Sequence, residues 1–184
     1  TVNKMVNLND LTLEQLQNAL VEIGEPKFRA KQIFKWFARG VTRLDEMTDI
    51  SAKTKEKIKE NYNIANVQVW QRFDSKLDET KKYLMELDDG NIIETVAMFY
   101  KHGITVCIST QVGCNMGCKF CASTIGGKSR NLTAGEILGQ VATVQRNLGT
   151  RVSNVVLMGI GEPLDNYEHV VNFLKNGNNE NGMC

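Results

Sequence analysis

The feature that most constrains the fold is a repeated order of elements in the second half of the chain. Hydrophobic periodicity and caps predict, in order, a strand over residues 104–110, a helix from the capping box at 133–136 to about residue 148, an apolar strand of buried type over 152–158, and a helix over 167–175. A loop follows each strand. Strand, loop and helix, repeated, are typical of a parallel α/β barrel, whose functional loops follow the strand ends.

The loop after the first of these strands contains three of the chain's five cysteines within eight residues. Cys114, Cys118 and Cys121 have the spacing C-x3-C-x2-C. Three thiolates on one loop can hold three corners of a 4Fe-4S cluster and leave its fourth iron open, and an open metal position is typical of a site that performs chemistry. A zinc loop with its fourth ligand elsewhere, or three free thiols, are the alternatives that the spacing leaves open.

The residues of both loops resemble a known family. The segments that carry the resemblance are Cys107-Ile-Ser-Thr-Gln-Val-Gly-Cys114, Lys119-Phe-Cys-Ala-Ser123, Arg130-Asn-Leu-Thr133 and Met158-Gly-Ile-Gly-Glu-Pro-Leu-Asp-Asn166. A cysteine loop after one barrel strand and a Gly-Glu-Pro loop after the next resemble the radical S-adenosylmethionine (SAM) superfamily. Within it, these segments closely resemble the RlmN family, from about residue 11 to the end of the chain.

The resemblance implies an RNA-modifying enzyme. The RlmN family methylates carbon-2 of an adenine in 23S ribosomal RNA and in transfer RNA, with a 4Fe-4S cluster and SAM as cofactors. One SAM methylates a cysteine near the C-terminus of the family's chain, and a second SAM yields a 5′-deoxyadenosyl radical that activates this methyl group. A low-potential electron donor of the flavodoxin or ferredoxin type is also implied.

The family's functional residues match seven positions of this sequence. They are Glu94 and Cys107 for catalysis, Gly161 and Glu162 for SAM binding, and Cys114, Cys118 and Cys121 for the cluster. Glu94 matches the proton acceptor, and Cys107 matches the cysteine that resolves a covalent protein–RNA intermediate through a transient disulfide. From the residues alone, Cys107 would be a small buried hydrophobe and Glu94 a solvated residue of an alternating strand. A general base would instead need a partly dry cleft beside the adenine.

The first 65 residues predict a small helical domain. Apolar periods and glycine stops indicate helices over 12–23, 26–39 and 51–62, and the resemblance implies a helix-hairpin-helix-like domain that helps to hold RNA. The second helix carries the cations Lys27, Arg29, Lys31, Lys35 and Arg39. They suit a phosphate backbone or, equally, a solvated helix face. We expect a core that includes the aromatic residues Phe28, Phe34, Trp36 and Phe37.

Residues 66–103 predict a β-hairpin extension, and residues 104–184 the first part of a radical SAM barrel, so the expected fold class is α/β. Strands are expected over 67–73, 82–87 and 92–99, with a turn at 88–91. The strand with Glu94 leads toward the strand with Cys107, so both side chains are expected near one site. His102 and His169 have no ligand spacing and are expected on the surface or in loops.

The composition excludes little. A net charge of +1 gives no global signal for nucleic acid, so RNA binding would depend on local patches. The candidate cations are Lys119, Lys128, Arg130, Arg146 and Arg151. Without a long apolar run or a signal peptide, the sequence predicts a cytosolic protein. The Asn/Gly-rich stretch after Lys175 predicts disorder.

The chain ends at Cys184, about halfway through a typical family member and before the methyl-carrying cysteine. Cys184 follows a polar, loop-like stretch and is not matched to that cysteine. We therefore expect the isolated chain to be an inactive fragment. Two other functions stay open: the related family that methylates carbon-8 of an adenine and confers antibiotic resistance, and a non-catalytic, metal-stabilised RNA-binding module.

Overall fold

Three short helices make up the first part of the chain in the computed structural model, which describes residues 5–182; Cys184 lies outside the described residues. They are α1 (Leu13–Glu22), α2 (Phe28–Ala38) and α3 (Ala52–Asn61). Thr12 and Ser51 cap α1 and α3, because each side chain accepts a hydrogen bond from the backbone N–H three residues further on. The three predicted helices are confirmed to within two residues at each end.

The aromatic core of this helical unit is smaller than predicted. Phe34 and Phe37 are buried among aliphatic side chains of all three helices. The prediction is wrong for Phe28, which is 57% exposed and lies beside the guanidinium of Arg29. Phe28 begins α2, where only a residue on the inward stripe of the helix can reach the core. Trp36 packs against the edge of the core and donates a hydrogen bond to Asp49.

In the described part of the chain seven strands follow: β1 (Val67–Asp74), β2 (Lys81–Leu87), β3 (Ile92–Tyr100), β4 (Gly103–Cys107), β5 (Gln111–Val112), β6 (Arg130–Asn131) and β7 (Asn154–Val156). The main sheet has the order β1-β2-β3-β4-β7. Its first four strands pair antiparallel, and β7 is parallel to β4. The short strands β5 and β6 pair with each other at the two ends of the cysteine loop. This is the mixed α/β architecture that the sequence predicts, with one parallel crossover of the barrel type.

Helices α4 (Ala134–Leu148) and α5 (Tyr167–Gly177) cover one face of the main sheet. Side chains alternate along each strand, so inward residues such as Met85, Ile93 and Val106 are buried against α4. Residues between them, including Glu94 and Cys107, lie on the opposite face. Among residues 5–182 that opposite face is only partly buried, and we call it the open face of the sheet.

Two predictions in this part are wrong. The apolar run over 152–158 forms a strand of only three residues at the edge of the sheet, where Asn154 and Val155 are exposed. An apolar run predicts burial, but burial also needs a neighbour on both sides. The expected disorder after Lys175 is also contradicted for the described residues 176–182, because Asn176 is buried within α5 and donates a hydrogen bond to the carbonyl of Leu11.

No helix within residues 5–182 combines the length and the apolar character needed to cross a membrane.

Candidate active site

The cysteine loop connects β5 to β6 beside the carboxyl end of β4. Its first glycine, Gly113, has φ 72°, and a side chain there would overlap the carbonyl of Gly127 at the far end of the loop. The side chain of Asn115 accepts a hydrogen bond of 2.7 Å from the backbone of Lys128. These contacts close the loop and bring its two ends together.

The three thiols of this loop differ in exposure: Cys114 is buried, Cys121 is half-buried and Cys118 is exposed. Within residues 5–182 no three His, Cys, Asp or Glu side chains are placed to share one metal ion. A 4Fe-4S cluster needs one thiolate on each of three irons, which need not converge on a point. Three thiols on one closed loop therefore fit the cluster in donor chemistry.

The second functional loop follows β7 and lies directly against the start of the cysteine loop. The carbonyl of Ile160 accepts hydrogen bonds from the backbone N–H groups of Thr110 (2.8 Å) and Gln111 (3.2 Å). Gly161 has φ 105°, and a β-carbon there would lie 2.6 Å from the β-carbon of Gln111. Only glycine allows this approach. Because β4 and β7 are parallel neighbours, both loops begin at the same edge of the sheet.

Glu162 begins the short 3-10 turn Pro163–Asn166. Its carboxylate accepts a hydrogen bond of 3.1 Å from the backbone N–H of Leu164 and keeps a second oxygen for other donors. With the backbone carbonyl of Gly161 beside it, the loop offers two acceptors of the kind that an ammonium group needs.

Cys107 and Glu94 lie on the open face of the sheet, on neighbouring strands. Cys107 is directly opposite Val96, and Glu94 is two residues before Val96 on β3. Diagonal neighbours of this kind are about 7–8 Å apart across an antiparallel pair. The register therefore brings together the two residues that the resemblance matched to catalysis.

The thiol of Cys107 also lies beside the second loop. Burial raises the pKa of the Cys107 thiol, while a hydrogen bond from the backbone N–H of Met158 opposes this increase. The thiolate is the reactive form of cysteine. Cys107 is therefore mostly protonated at neutral pH and must lose a proton before it can attack another sulfur.

The carboxylate of Glu94 is paired with a lysine that sequence reasoning did not identify. Lys82 Nζ lies 2.6 Å from Glu94 Oε1, and both side chains are nearly half exposed, so the expected dry surroundings are absent among the described residues. The backbone carbonyl of Glu94 accepts a hydrogen bond from Ser109 Oγ, which in turn accepts one from the N–H of Ile160. One hydroxyl thus joins the strand of Glu94 to the loop after β7.

The cations expected to bind RNA near the barrel are mostly engaged in ion pairs. Lys128 pairs with Asp165, Arg146 pairs with Glu46, and Arg130 pairs with both Asp89 and Glu136. Arg130 also has a structural role, because it ties the end of the cysteine loop to the start of α4. Lys119 and Arg151 are exposed and make no salt bridge within the described part of the chain.

The basic residues of α2 form a row on its outer surface. Lys27, Lys31, Lys35 and Arg39 recur every fourth residue, are exposed, and make no salt bridge within residues 5–182. We call these four residues the basic row. Arg29, the fifth expected cation, is half-buried instead and donates to Gln32. A cleft of about 500 Å³ at the end of the row is lined by side chains that include Lys35, Arg39, Arg146, Arg151 and Glu180.

Comparison with known families agrees with this geometry. The chain matches the radical SAM superfamily over residues 108–181, and the ribosomal RNA large subunit methyltransferase N-terminal domain over residues 6–64. A solved radical SAM methyltransferase from Sphaerobacter thermophilus superimposes with a TM-score of 0.88 at 38% identity, over 97% of this chain and 53% of that one. The fold and the two loops thus define a radical SAM protein.

Curated relatives narrow the class. A probable dual-specificity RNA methyltransferase RlmN from Clostridium novyi (strain NT) is 52% identical over 180 residues, which cover 97% of this chain and 52% of the relative. A protein of the same name from Alkaliphilus metalliredigens (strain QYMF) is 52% identical over 178 residues, 97% of this chain and 51% of the relative. The chain belongs to the RlmN family, as its sequence predicts, and spans about half the length of the curated relatives it matches.

Proposed function

We propose that this chain is the N-terminal part of a radical SAM methyltransferase that methylates carbon-2 of an adenine in 23S ribosomal RNA and in transfer RNA. The observation that carries the proposal is the contact between the cysteine loop and the Gly161–Glu162 loop, next to a sheet face that bears Cys107 and Glu94. The names of the relatives support the substrate class. RNA substrates and thiolate ligands both suit the reducing cytosol.

The cysteine loop would hold the cofactors. Cys114, Cys118 and Cys121 would bind a 4Fe-4S cluster, and the carbonyl of Gly161 with the carboxylate of Glu162 would accept hydrogen bonds from the ammonium group of SAM. Once reduced by a flavodoxin-like or ferredoxin-like donor, the bound cofactors supply radical chemistry. Because both loops leave the same edge of the sheet, one small molecule can contact both.

The open face of the sheet would carry the remaining chemistry. Glu94 would take a proton from the adenine ring, and Lys82 would hold its carboxylate in place at 2.6 Å. Cys107 would lose its proton, and its thiolate would attack the sulfur of the methyl-carrying cysteine, which is not matched within these 184 residues. The disulfide would form as the sulfur–carbon bond of the covalent protein–RNA intermediate breaks, and the electron pair of that bond would leave with the nucleobase. The diagonal placement of Glu94 and Cys107 allows both to reach the same nucleotide.

The basic row of α2 would contact the RNA backbone. Its first and last cations, Lys27 and Arg39, are 12 positions apart, or roughly 18 Å along the helix axis. Because no acidic side chain of residues 5–182 forms a salt bridge with them, their charge remains available for phosphates.

We also propose that the chain divides into a helical RNA-binding domain at 1–65, a β-hairpin extension at 66–103 and the first part of the barrel at 104–184. Two separate hydrophobic clusters support the first boundary. One lies within the helical unit, and the other combines the sheet with α4 and α5. The two family matches also fall on either side of the extension.

Anaerobic reconstitution tests the proposal. We expect iron to bind to this chain and to be lost from the Cys118→Ala variant. The longer polypeptide should methylate carbon-2 of adenine, as judged by mass spectrometry of the nucleosides, whereas these 184 residues alone should not. A product methylated at carbon-8 would indicate the resistance-type enzyme. A colourless zinc protein would indicate a non-catalytic RNA-binding module and refute the proposal.

A further inference from the structure

Gln111 is a fully buried amide between the two loops of the candidate active site. It begins β5, three residues before Cys114, and is 0% exposed. Its side chain makes three hydrogen bonds. Oε1 accepts from the N–H of Glu162 at 2.9 Å, and Nε2 donates to Asn131 Oδ1 and to Asp165 Oδ2, both at 2.8 Å.

Gln111 and its partners belong to three segments: its own strand β5, the strand β6, and the loop and turn after β7. Asn131 lies in β6, where the cysteine loop ends, whereas Glu162 and Asp165 belong to the loop and turn after β7. The backbone of Gln111 adds a hydrogen bond to the carbonyl of Ile160. An amide with both N–H donors and its oxygen engaged has one favoured orientation. Gln111 therefore fixes the position of these three segments relative to one another.

Asp165 extends this contact to the end of the cysteine loop. Lys128 Nζ lies 2.5 Å from the same carboxylate oxygen that Gln111 binds. Hydrogen bonds from Lys128 and then from Gln111 hold the pKa of Asp165 below its ordinary value, so this acceptor is ionised at neutral pH. The backbone N–H of Lys128 also donates a hydrogen bond to the side chain of Asn115, which lies between Cys114 and Cys118 in the sequence.

We propose that Gln111 is a positioning residue for SAM, because its three hydrogen bonds set the position of the Gly161–Glu162 loop relative to the cluster-binding cysteines. The inference rests on the proposed function. SAM would have to contact the cluster and the second loop at once, so its affinity depends on the relative position of the two. Residues that orient a first layer of ligands typically change affinity or activity 10- to 100-fold when they are replaced.

Hydrogen exchange in the cofactor-free chain tests the positioning directly. Gln111→Leu keeps the approximate volume of the side chain and removes all three hydrogen bonds, so the N–H groups of residues 159–166 should exchange faster. Gln145→Leu is the matched control. Gln145 accepts a hydrogen bond of 2.9 Å from the N–H of Val152 at the other end of α4, away from both loops. Its substitution should leave exchange at 159–166 unchanged.

Cofactor binding provides the second measurement, after anaerobic reconstitution of the longer polypeptide that the proposed function requires. Gln111→Leu should bind as much iron as the unaltered protein, because its three cysteines remain. Its affinity for SAM, followed by the change in the electron paramagnetic resonance spectrum of the reduced cluster, should fall about 10- to 100-fold. Asp165→Ala removes one partner of Gln111 at a half-exposed position and should give a smaller loss of the same kind.

Two results would overturn the inference. One is unchanged exchange at 159–166 together with unchanged SAM affinity in Gln111→Leu. The other is a loss of iron as large as the loss of SAM binding, because Gln111 would then support only the cysteine loop. If the unaltered protein binds iron but no SAM, the proposed function fails, and the positioning of SAM fails with it. Should Gln111→Leu not fold, Asp165→Ala decides by the same two measurements.

Discussion

Replacing Arg130 with methionine should destabilise the chain by about 2–3 kcal/mol. Its guanidinium donates to both carboxylate oxygens of Glu136 at 2.8 Å, and the Glu136 side chain is only 8% exposed. Breaking a buried ion pair costs about 3–5 kcal/mol. The expected loss is smaller because Arg130 is 29% exposed and Glu136 keeps a hydrogen bond from the N–H of Thr133.

The second partner of Arg130, Asp89, adds a pH dependence. The hydrogen bond from Arg130 lowers the pKa of Asp89 from 3.8 to about 2, which would correspond to about 2.4 kcal/mol. Asp89 is 41% exposed, so solvent screening reduces this contribution to about 1 kcal/mol or less. A lowered carboxyl pKa stabilises the folded state above pH 4, and this stabilisation is lost as the pH falls toward 2. The difference in free energy of unfolding between Arg130→Met and the unaltered chain should therefore become smaller as the pH falls from 4 toward 2.

Urea unfolding followed by circular dichroism measures both effects. In thermal unfolding of a chain of this length, the same 2–3 kcal/mol would lower the melting temperature by about 4–12 °C. Asp89→Asn is the control. It removes only the exposed ion pair between Arg130 and Asp89 and should therefore cost at most about 1 kcal/mol. The reasoning is refuted if Arg130→Met loses no more stability than Asp89→Asn. It is also refuted if Arg130→Met weakens RNA binding without any loss of stability, since Arg130 would then act as a free RNA-binding cation.

Three further predictions concern the loops and the basic row. Gly161→Ala should destabilise the chain much more than Gly90→Ala in urea unfolding, because both glycines have positive φ but only the first added β-carbon meets other atoms; equal losses would contradict this. In the cofactor-free chain Cys118 should react with iodoacetamide before Cys107, whose raised pKa and burial slow alkylation until the pH increases. Peptide mass spectrometry measures the order, and a faster Cys107 would disprove it. Lys35→Glu should weaken RNA binding and make it less dependent on salt concentration, as measured by fluorescence anisotropy. An unchanged salt dependence would mean that the basic row is only a solvated surface of α2.

Local signals in the sequence predicted most of the secondary structure. The capping box at Thr133 and the left-handed Gly149 bound α4 as expected, because both act through hydrogen bonds and backbone angles within a few residues. The direct connection from the strand of Glu94 to the strand of Cys107 also predicted that both side chains would lie near one site, and the register makes them diagonal neighbours. Spacing and resemblance identified the cysteines, whose assignment as cluster ligands stays a prediction.

Predictions about surroundings were less successful. The sequence indicated Phe28 as core and the strand before Gly159 as buried, and the structure contradicts both. It indicated Arg130 as an RNA contact but not as the partner of two carboxylates. In each case the residue type was interpreted correctly as apolar or basic, but the partner that would bury or pair the side chain was not known. A side chain's burial or pairing depends on that partner, which a local pattern does not contain.

The sequence by itself determined which chemical groups this protein can offer and on which elements they stand: thiols on one loop, a glycine and a carboxylate on another, and cations along a helix. The tertiary structure decided how these groups are held. Gln111 meets Asp165 across 54 residues, Lys82 neutralises Glu94 from the next strand, and Arg130 is enclosed by two carboxylates. Such bonds depend on the distance between atoms after folding, and residues far apart in sequence carry no periodic signal of it.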